Sequence, residues 1–98
     1  MRLWIDDLRD PPDRTWTWAK TSSQALHRLA TSRVDEISFD HDLGGDDTSM
    51  RVARYIERLA VEGRRAPPKW TVHSQNPVGR ENLTQTMASA ERHWIIDD

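Results

Sequence analysis

Residues Ile37–Gly45 read Ile-Ser-Phe-Asp-His-Asp-Leu-Gly-Gly, and this stretch decides how the rest of the chain is interpreted. Its first half is a short apolar run of the kind that forms a buried strand. Its second half places two carboxylates and one imidazole directly after that strand. A carboxylate is costly to bury beside a core, so we look for chemistry at this point. Two other stretches repeat the pattern of an apolar strand followed by polar residues, namely Leu3–Asp7 and Trp70–Asn76.

The composition of the chain sets its broad class. Its 98 residues allow one domain with a modest core, which we assign to residues 1–98. The net charge of −2 gives no overall attraction to duplex DNA or to an anionic membrane. Cysteine is absent, which excludes disulfides and thiolate metal sites. No apolar run approaches the roughly 18–20 residues of a membrane span, and the N-terminus lacks a signal-peptide pattern. We therefore expect a soluble cytoplasmic protein.

The apolar periodicity predicts strands that alternate with helices. The predicted strands are Arg2–Asp7, Thr15–Ala19, Glu36–Asp40, Lys69–His73 and His93–Ile96. The predicted helices run from the N-cap Thr21 to about Ser32, from about Ser49 to Glu62, and onward from Asn76-Pro77, an N-cap with a first-turn proline. This alternation favours an α/β fold with a parallel sheet and helices on both faces.

Polar residues follow three of the predicted strands, in the segments Asp6-Asp7, Asp40–Asp42 and His73–Asn76. In open parallel sheets, ligands bind outside the carboxyl ends of the strands, at the point where the strand order reverses. We therefore expect these three strand ends to meet and to form the functional site.

Longer motifs surround the same three strand ends. They read Trp4-Ile5-Asp6-Asp7-x-Arg9-x-Pro11-Pro12, Ser38-Phe39-Asp40-His41-Asp42-Leu43-Gly44 and Val72-His73-Ser74-x-Asn76-Pro77-x-Gly79-Arg80. In this order they resemble the family of cyclic-phosphate-processing receiver domains, a variant of response-regulator receiver domains, over essentially the whole chain. The resemblance implies a receiver-like, flavodoxin-like fold of three layers, whose five-stranded parallel sheet has the order 2-1-3-4-5. The family's name implies a reaction class but no particular substrate.

Two features depart from ordinary receiver domains. The phosphorylation site of those domains uses a lysine after the fifth strand, whereas here the segment Trp94–Ile96 is followed by Asp97 and Asp98. We also expect the first helix of ordinary receivers to be reduced to a loop around Pro11-Pro12, because paired prolines disfavour a helix start there. The missing lysine counts against a phosphoacceptor role for Asp40.

Four carboxylates, those of Asp6, Asp7, Asp40 and Asp42, are the predicted ligands of a divalent cation, Mg²⁺ or Mn²⁺. Two like charges about 4 Å apart repel by about 4 kcal/mol at an effective dielectric near 20. Several such pairs would rival a typical net stability of about 5–15 kcal/mol. If the carboxylates converge, a cation or a proton must relieve this repulsion. The alternative role for Asp7 or Asp42 is to cap a loop or a helix.

Three catalytic residues are predicted, with His41 and His73 as general acid and base and Asp40 beside them. The pKa of an imidazole lies near working pH, which suits proton transfer. Opening a cyclic nucleotide phosphate needs an activated water and a protonated leaving group, and two imidazoles beside a metal could supply both. The alternative is that each histidine is a metal ligand or a structural hydrogen-bonding residue.

A phosphate-binding edge is predicted from Ser74, Asn76 and Arg80, with Arg9 facing the same cleft from the first loop. The N-terminus of the last helix offers free backbone N–H groups, which favour phosphate. The Arg80 guanidinium could bind a phosphate through two hydrogen bonds. The alternatives are that Asn76 is only the N-cap of this helix and that Arg9 forms an ion pair with Asp10 or Asp13.

Three functions are therefore considered. The first is a metal-dependent phosphoesterase that acts on cyclic or otherwise activated phosphates of nucleotides or RNA ends. The second is a non-catalytic module that binds a nucleotide or a protein. The third is a phosphoacceptor receiver. Two imidazoles at strand ends favour the first function over the second, because simple binding does not need them.

Overall fold

The computed structural model describes residues 1–94, in which four strands and three helices alternate. The strands are β1 (Arg2–Ile5), β2 (Trp16–Ala19), β3 (Glu36–Phe39) and β4 (Lys69–Val72). The helices are α1 (Ser22–Thr31), α2 (Met50–Val61) and α3 (Pro77–Trp94). All strand pairs are parallel, in the order β2-β1-β3-β4. The predicted α/β fold, the parallel sheet and the order of the first four strands are confirmed.

The prediction of a fifth strand at His93–Ile96 is wrong for the part of it that the structure describes. His93 and Trp94 form the last turn of α3, and Ile95 and Ile96 lie outside the described residues. Trp94 packs against the core four residues after the buried Ala90, so it continues the apolar stripe of the helix. A short apolar run cannot by itself distinguish a strand from the end of a helix. Within residues 1–94, no helix is long and apolar enough to cross a membrane.

All three helices pack on one face of the sheet, which corrects the prediction of three layers with helices on both faces. One apolar cluster joins Leu3, Ile5, Ile37 and Phe39 of the sheet to residues of α1, α2 and α3. The connections β2–α1–β3 and β3–α2–β4 advance across the sheet in the same direction. Because such crossovers are right-handed, both helices are placed on the same face. The helix α3 then packs against α2.

The opposite face of the sheet has no helix over it within residues 1–94. The segment between β1 and β2 contains no helix, as expected for the loop around Pro11-Pro12. Alternate strand residues point to this face, including Trp4, Ser38 and Thr71. The open face therefore carries polar and aromatic side chains that lead toward the carboxyl edge of the sheet.

Two helices begin at the predicted N-caps. The Thr21 hydroxyl accepts a hydrogen bond from the Gln24 N–H at 3.1 Å, and the Gln24 side chain accepts one from the Lys20 N–H at 2.8 Å. At the start of α3, the Asn76 side-chain oxygen accepts hydrogen bonds from the N–H groups of Val78 and Gly79 at 3.1 Å each. These bonds satisfy backbone donors that a helix leaves unpaired at its start.

The loop between β3 and α2 folds back on the end of β3. Gly44 and Gly45 adopt φ values of 92° and 56°, a region that glycine reaches at little cost. The buried Ser49 hydroxyl donates a hydrogen bond to the Asp40 carbonyl oxygen, and the Ser49 N–H donates one to the His41 carbonyl oxygen at 2.9 Å. These bonds hold the residues that follow β3 at the edge of the sheet.

The helix α3 supplies a test of the core. Leu83 is fully buried, whereas Val78 on the same helix is 70% exposed. We expect Leu83→Ala to lower the free energy of unfolding by about 2–5 kcal/mol, because it removes buried methyl groups and leaves a cavity. The control Val78→Ala should change it by no more than about 0.5 kcal/mol. Urea unfolding followed by circular dichroism measures both, and equal effects of the two substitutions would contradict this packing.

Candidate functional site

The register of the parallel sheet places three strand ends side by side. Ile5 pairs with Phe39, and Phe39 pairs with Val72. The hydrogen bonds continue one residue further, from the Asp40 N–H to the Ile5 carbonyl at 2.8 Å and from the His73 N–H to the Phe39 carbonyl at 2.9 Å. The residues that follow the three strands are therefore neighbours at the carboxyl edge of the sheet.

Three carboxylates converge at this edge, and we call Asp6, Asp7 and Asp40 the carboxylate group. Each offers an oxygen, and these oxygens lie within 4.8 Å of one another. The Asp7 carboxylate lies against the loop glycine Gly44, where an added Cβ would be 3.4 Å from Asp7 Oδ2. Carboxylate oxygens at this spacing are the donors that Mg²⁺ or Mn²⁺ prefers.

Asp6 is the most constrained member of the carboxylate group, with 1% of its surface exposed. Its Oδ1 accepts hydrogen bonds from the N–H groups of Leu8 and Arg9 at 2.8 Å each, and its Oδ2 lies 3.0 Å from His73 Nε2. Burial acts to raise the pKa of Asp6, but the N–H groups of Arg9 and Leu8 and the His73 ring together hold that pKa below its usual value. Asp6 is therefore a carboxylate at neutral pH.

Asp40 has the opposite balance. Burial and the neighbouring Asp6 charge raise the pKa of the Asp40 carboxyl above its usual value, against the opposing effects of His73, the His41 N–H and Arg9. The negative charge of Asp40 is thus only partly compensated by the protein. A divalent cation among the three carboxylates would supply the missing compensation, so the donor set fits Mg²⁺ or Mn²⁺ both in chemistry and in charge.

His73 contacts the protein through both ring nitrogens and through one face of its ring. Its Nδ1 lies 2.7 Å from the Ser38 hydroxyl, which accepts a hydrogen bond from the Thr71 hydroxyl at 2.9 Å. Because the Asp6 carboxylate can only accept, Nε2 carries the ring proton and donates to Asp6, and Nδ1 of the neutral ring accepts a hydrogen bond from the Ser38 O–H. The ring stacks on Trp4, with a centroid distance of 3.9 Å and an interplanar angle of 3°. Burial lowers the pKa of His73 despite the opposing charge of Asp6, so this imidazole is neutral and both its nitrogens are engaged.

His41 is arranged differently from His73. Its ring packs on Gly79 in the first turn of α3, and a Cβ added at Gly79 would overlap the ring and lie 2.6 Å from Nδ1. Nδ1 is 3.1 Å from Asp42 Oδ1, and 13% of the side chain is exposed. Within residues 1–94, the Nε2 atom of His41 has no hydrogen-bond partner. His41 is therefore the imidazole with a nitrogen available to a ligand.

Asp42 lies outside the carboxylate group, although we predicted it as a metal ligand. Its side chain is 62% exposed and bridges His41 Nδ1 and Asn76 Nδ2, each at 3.1 Å. The Asn76 amide and then the His41 ring hold the pKa of Asp42 below its usual value. In this position the carboxylate orients the His41 ring.

The predicted phosphate-binding residues surround the start of α3. The buried Ser74 hydroxyl accepts a hydrogen bond from the Asn76 N–H at 3.1 Å, and Asn76 in turn caps two N–H groups of the first turn. The exposed Arg80 guanidinium lies 3.5 Å from the Ser74 carbonyl oxygen, and Arg9 reaches the His73 carbonyl oxygen at 3.4 Å. The two guanidinium groups flank the strand ends, whereas two of the backbone N–H groups of the helix are already satisfied.

Sequence reasoning missed the residues that support His73 and Asp6. Trp4, Ser38 and Thr71 each stand two residues before a member of the edge, namely Asp6, Asp40 and His73. Because side chains in a strand alternate between faces, a period of two would have placed all six on one face. Trp18 also supports the site, since its Nε1–H donates a hydrogen bond to the Asp6 carbonyl oxygen at 2.6 Å.

A cavity of about 670 Å³ lies at the opposite, amino edge of the sheet. It is lined by residues 30–35 and 65–68, which precede β3 and β4, and by Lys69, the first residue of β4. None of the site residues described above lines this cavity. We therefore place the functional site by the chemistry of its side chains rather than by the volume of a cavity.

The contact between His41 and Gly79 can be tested, because it predicts that Gly79→Ala changes the free energy of unfolding in opposite directions with and without the His41 ring. Replacing a helical glycine with alanine normally stabilises a protein, by about 0.5–1 kcal/mol. Here we expect Gly79→Ala to destabilise it, because the new Cβ overlaps the His41 ring. In a His41→Ala background the same substitution should become stabilising. Chemical unfolding of the four proteins measures this coupling, and a stabilising effect in both backgrounds would show that the ring does not rest on Gly79.

The family described as the cyclic-phosphate processing receiver domain matches residues 1–89. Neither the curated proteins nor the solved structures gave a match. The match spans all four strands and most of α3, including every site residue described above. The chain therefore belongs to the cyclic-phosphate processing receiver domain family.

Proposed function

We propose that the protein is a metal-dependent phosphoesterase that opens cyclic phosphates of nucleotides or RNA ends at the carboxyl edge of the sheet. The observation that carries this proposal is the convergence of Asp6, Asp7 and Asp40 at this edge, where His41 directly follows Asp40 in the chain. Family membership supports cyclic phosphates as the substrate class. The proposal predicts small or single-stranded substrates and no binding of duplex DNA.

The residues that would hold the cation are Asp7 and Asp40, with Asp6 assisting. Asp6 already accepts three hydrogen bonds, so it has the least free capacity for a metal. A bound Mg²⁺ or Mn²⁺ would supply polarisation of the phosphoryl group and an acidified water. The hydrogen bonds to Asp6 fix the position of that carboxylate before a cation or substrate arrives, which avoids reorganisation during the reaction.

His41 is the proposed proton carrier. Its Nε2 is directed to no partner among residues 1–94, while Asp42 holds Nδ1 and Gly79 supports the ring. Nε2 can therefore take a proton from the attacking water or give one to the leaving ribose oxygen. A positioned group of this kind contributes about 10²–10⁴-fold to a rate.

The second predicted proton carrier, His73, has a geometry that favours a different role. Both its nitrogens are engaged inside the protein, and its neutral Nε2–H donates to Asp6. We propose that His73 is a positioning residue that orients the Asp6 carboxylate. Direct acid–base catalysis by His73 is the alternative, and it requires the ring to release one of these bonds.

The anion of the substrate would lie between the two exposed guanidinium groups. Arg9 and Arg80 flank the strand ends, and each can bind a phosphate oxygen pair. Ser74 holds the turn that leads into α3, so its proposed contribution to phosphate binding is made through the shape of this turn.

Binding of the cation should be visible in thermal stability. We expect millimolar Mn²⁺ or Mg²⁺ to raise the melting temperature of the wild type by mass action, because the cation binds only the folded carboxylate group. Asp40→Asn should lose most of this increase. Asp46→Asn is a matched control, since Asp46 is an exposed aspartate of the same loop outside the carboxylate group. An equal metal response in wild type and Asp40→Asn would exclude Asp40 as a ligand.

Without metal, we expect the wild type to be less stable than Asp40→Asn at neutral pH. The pKa of Asp40 is raised by folding, so its contribution to stability is present below about pH 3.9 and is lost as the pH rises through the raised pKa. At pH 7 without metal, Asp40→Asn should therefore be more stable than the wild type. Melting curves in a chelating buffer between about pH 4 and pH 7 measure the difference. A less stable Asp40→Asn at pH 7 would contradict the uncompensated charge.

Turnover separates the roles of the two histidines. Cyclic mononucleotides, cyclic dinucleotides and RNAs with 2′,3′-cyclic ends serve as the substrate panel, with and without Mn²⁺. We expect His41→Ala to lower kcat by about 10²-fold or more with binding changed by only a few-fold. His73→Gln keeps an N–H donor toward Asp6, so it should retain much more activity and metal response than His73→Ala. Equal loss in His73→Gln and His73→Ala, with metal binding intact, would instead assign His73 to proton transfer.

One observation favours a second candidate function, a non-catalytic binding module. Because His73 is engaged internally, the edge offers one available imidazole rather than two. This alternative predicts no turnover by the wild type on any member of the panel, together with weaker ligand binding in His41→Ala. Measuring hydrolysis and affinity on the same proteins distinguishes the two functions.

A further inference from the structure

A second charged feature lies away from the carboxylate group, between α1 and α2. We call it the arginine groove, a depression of about 370 Å³ lined by Leu26, Arg51, Arg54, Tyr55 and Arg58. The three arginines are exposed, and they occur three and four residues apart along α2. This spacing places them on one side of the helix, with rises of about 4.5 Å and 6 Å between them. The chain as a whole has a net charge of −2, so the positive charge of the groove is local.

None of the arginines in the groove is neutralised by the part of the chain that the structure describes. The ion pairs within residues 1–94 involve other cations. Arg51 donates a hydrogen bond to the Ser22 hydroxyl at 2.8 Å, and the Arg58 guanidinium lies 5.9 Å from the centre of the Tyr55 ring. Both contacts orient the guanidinium groups and leave their charges available to an anion.

The position of the arginine groove connects it to the candidate site. Arg51 is the second residue of α2, just after Ser49, which hydrogen-bonds to the Asp40 carbonyl oxygen. Because α2 follows β3 and leads back to β4, it runs from the carboxyl edge of the sheet toward the amino edge. The groove therefore begins at the carboxyl edge of the sheet, the edge that bears the carboxylate group, and extends toward the amino edge along the outside of the molecule.

We propose that the arginine groove binds the phosphodiester backbone of a single-stranded RNA whose cyclic-phosphate end occupies the carboxylate group. This inference rests on the proposed function and narrows its substrate class from any cyclic nucleotide to an RNA end. A row of guanidinium groups matches successive phosphates, and the half-buried Tyr55 offers an aromatic surface beside them. An acidic protein segment is the competing ligand.

The test uses the full chain and an RNA that it cannot hydrolyse. Fluorescence anisotropy measures binding of a labelled single-stranded RNA of about 12 nucleotides ending in a 3′-hydroxyl, at several salt concentrations. Each phosphate neutralised on a single strand contributes about −0.7 to the slope of log K against log salt. We expect a slope near −2 for the wild type. Arg54→Gln/Arg58→Gln should reduce the slope by about 1.4 and weaken binding about 25-fold at 0.1 M salt.

The control Arg64→Gln/Arg92→Gln removes the same charge from exposed positions outside the groove, and it should bind RNA like the wild type. Equal binding by the groove variant and this control would overturn the proposal. Displacement of the RNA by polyglutamate at equal charge concentration would also overturn it, in favour of an acidic protein partner.

Hydrolysis of a cyclic mononucleotide keeps this inference separate from the proposed function, because a mononucleotide has no further phosphodiester groups for the arginine groove to bind. If wild type and groove variant hydrolyse the mononucleotide equally and the groove substitutions do not affect RNA binding, the phosphoesterase proposal is supported and RNA binding by the arginine groove is refuted. RNA binding that depends on the groove, without any turnover, would support the groove as an RNA surface and overturn the hydrolase.

Discussion

Crowding of like charges at the carboxyl edge of the sheet is the constraint on which the rest of this structure depends. Parallel pairing of β1, β3 and β4 brings Asp6 and Asp40 into adjacent positions, and Asp7 completes the group. The protein compensates one of these charges, since Asp6 accepts two backbone N–H bonds and one from His73. It leaves Asp40 with a raised pKa. The proposed cation would relieve this imbalance, because its positive charge offsets the repulsion between the carboxylates.

The open face of the sheet supports this edge. In a layered α/β protein, both faces of a parallel sheet are normally covered by helices. Here the face that bears Trp4, Ser38 and Thr71 has no helix over it within residues 1–94, and the His73 ring covers part of it instead. The hydroxyl groups of Ser38 and Thr71 and the stacked indole of Trp4 thus fix the position of the His73 ring on a face that no helix covers in the described residues. The His73 ring can stack on Trp4 because the segment between β1 and β2 forms no helix that would cover this face.

Local signals explain how much could be predicted from the sequence. Short segments rich in apolar and aromatic residues marked the four strands, and the capping patterns at Thr21 and Asn76 marked two helix starts. The meeting of the three strand ends followed from the rule for parallel sheets. Each of these features depends on neighbours in the chain or on topology alone.

The features that could not be predicted depend on tertiary packing. His93 and Trp94, which we predicted to begin a strand, form a helical turn instead because Trp94 continues the apolar stripe of α3. Asp42 bridges His41 and Asn76, and this bridge requires the position of α3. Both nitrogens of His73 are engaged by residues that are far away in sequence, namely Ser38 on β3 and Asp6 directly after β1. The sequence shows which side chains are ionisable, but only the fold determines how many hydrogen-bond partners each of them has.

We propose that Asp6, Asp7 and Asp40 hold a divalent cation at this edge, and anomalous scattering of Mn²⁺ tests this directly in crystals of the full chain grown with millimolar manganese. We expect one strong anomalous peak within about 2.3 Å of carboxylate oxygens of Asp7 and Asp40, with Asp6 beside it. No peak at these carboxylates, or a peak held by Asp42 instead, would contradict it.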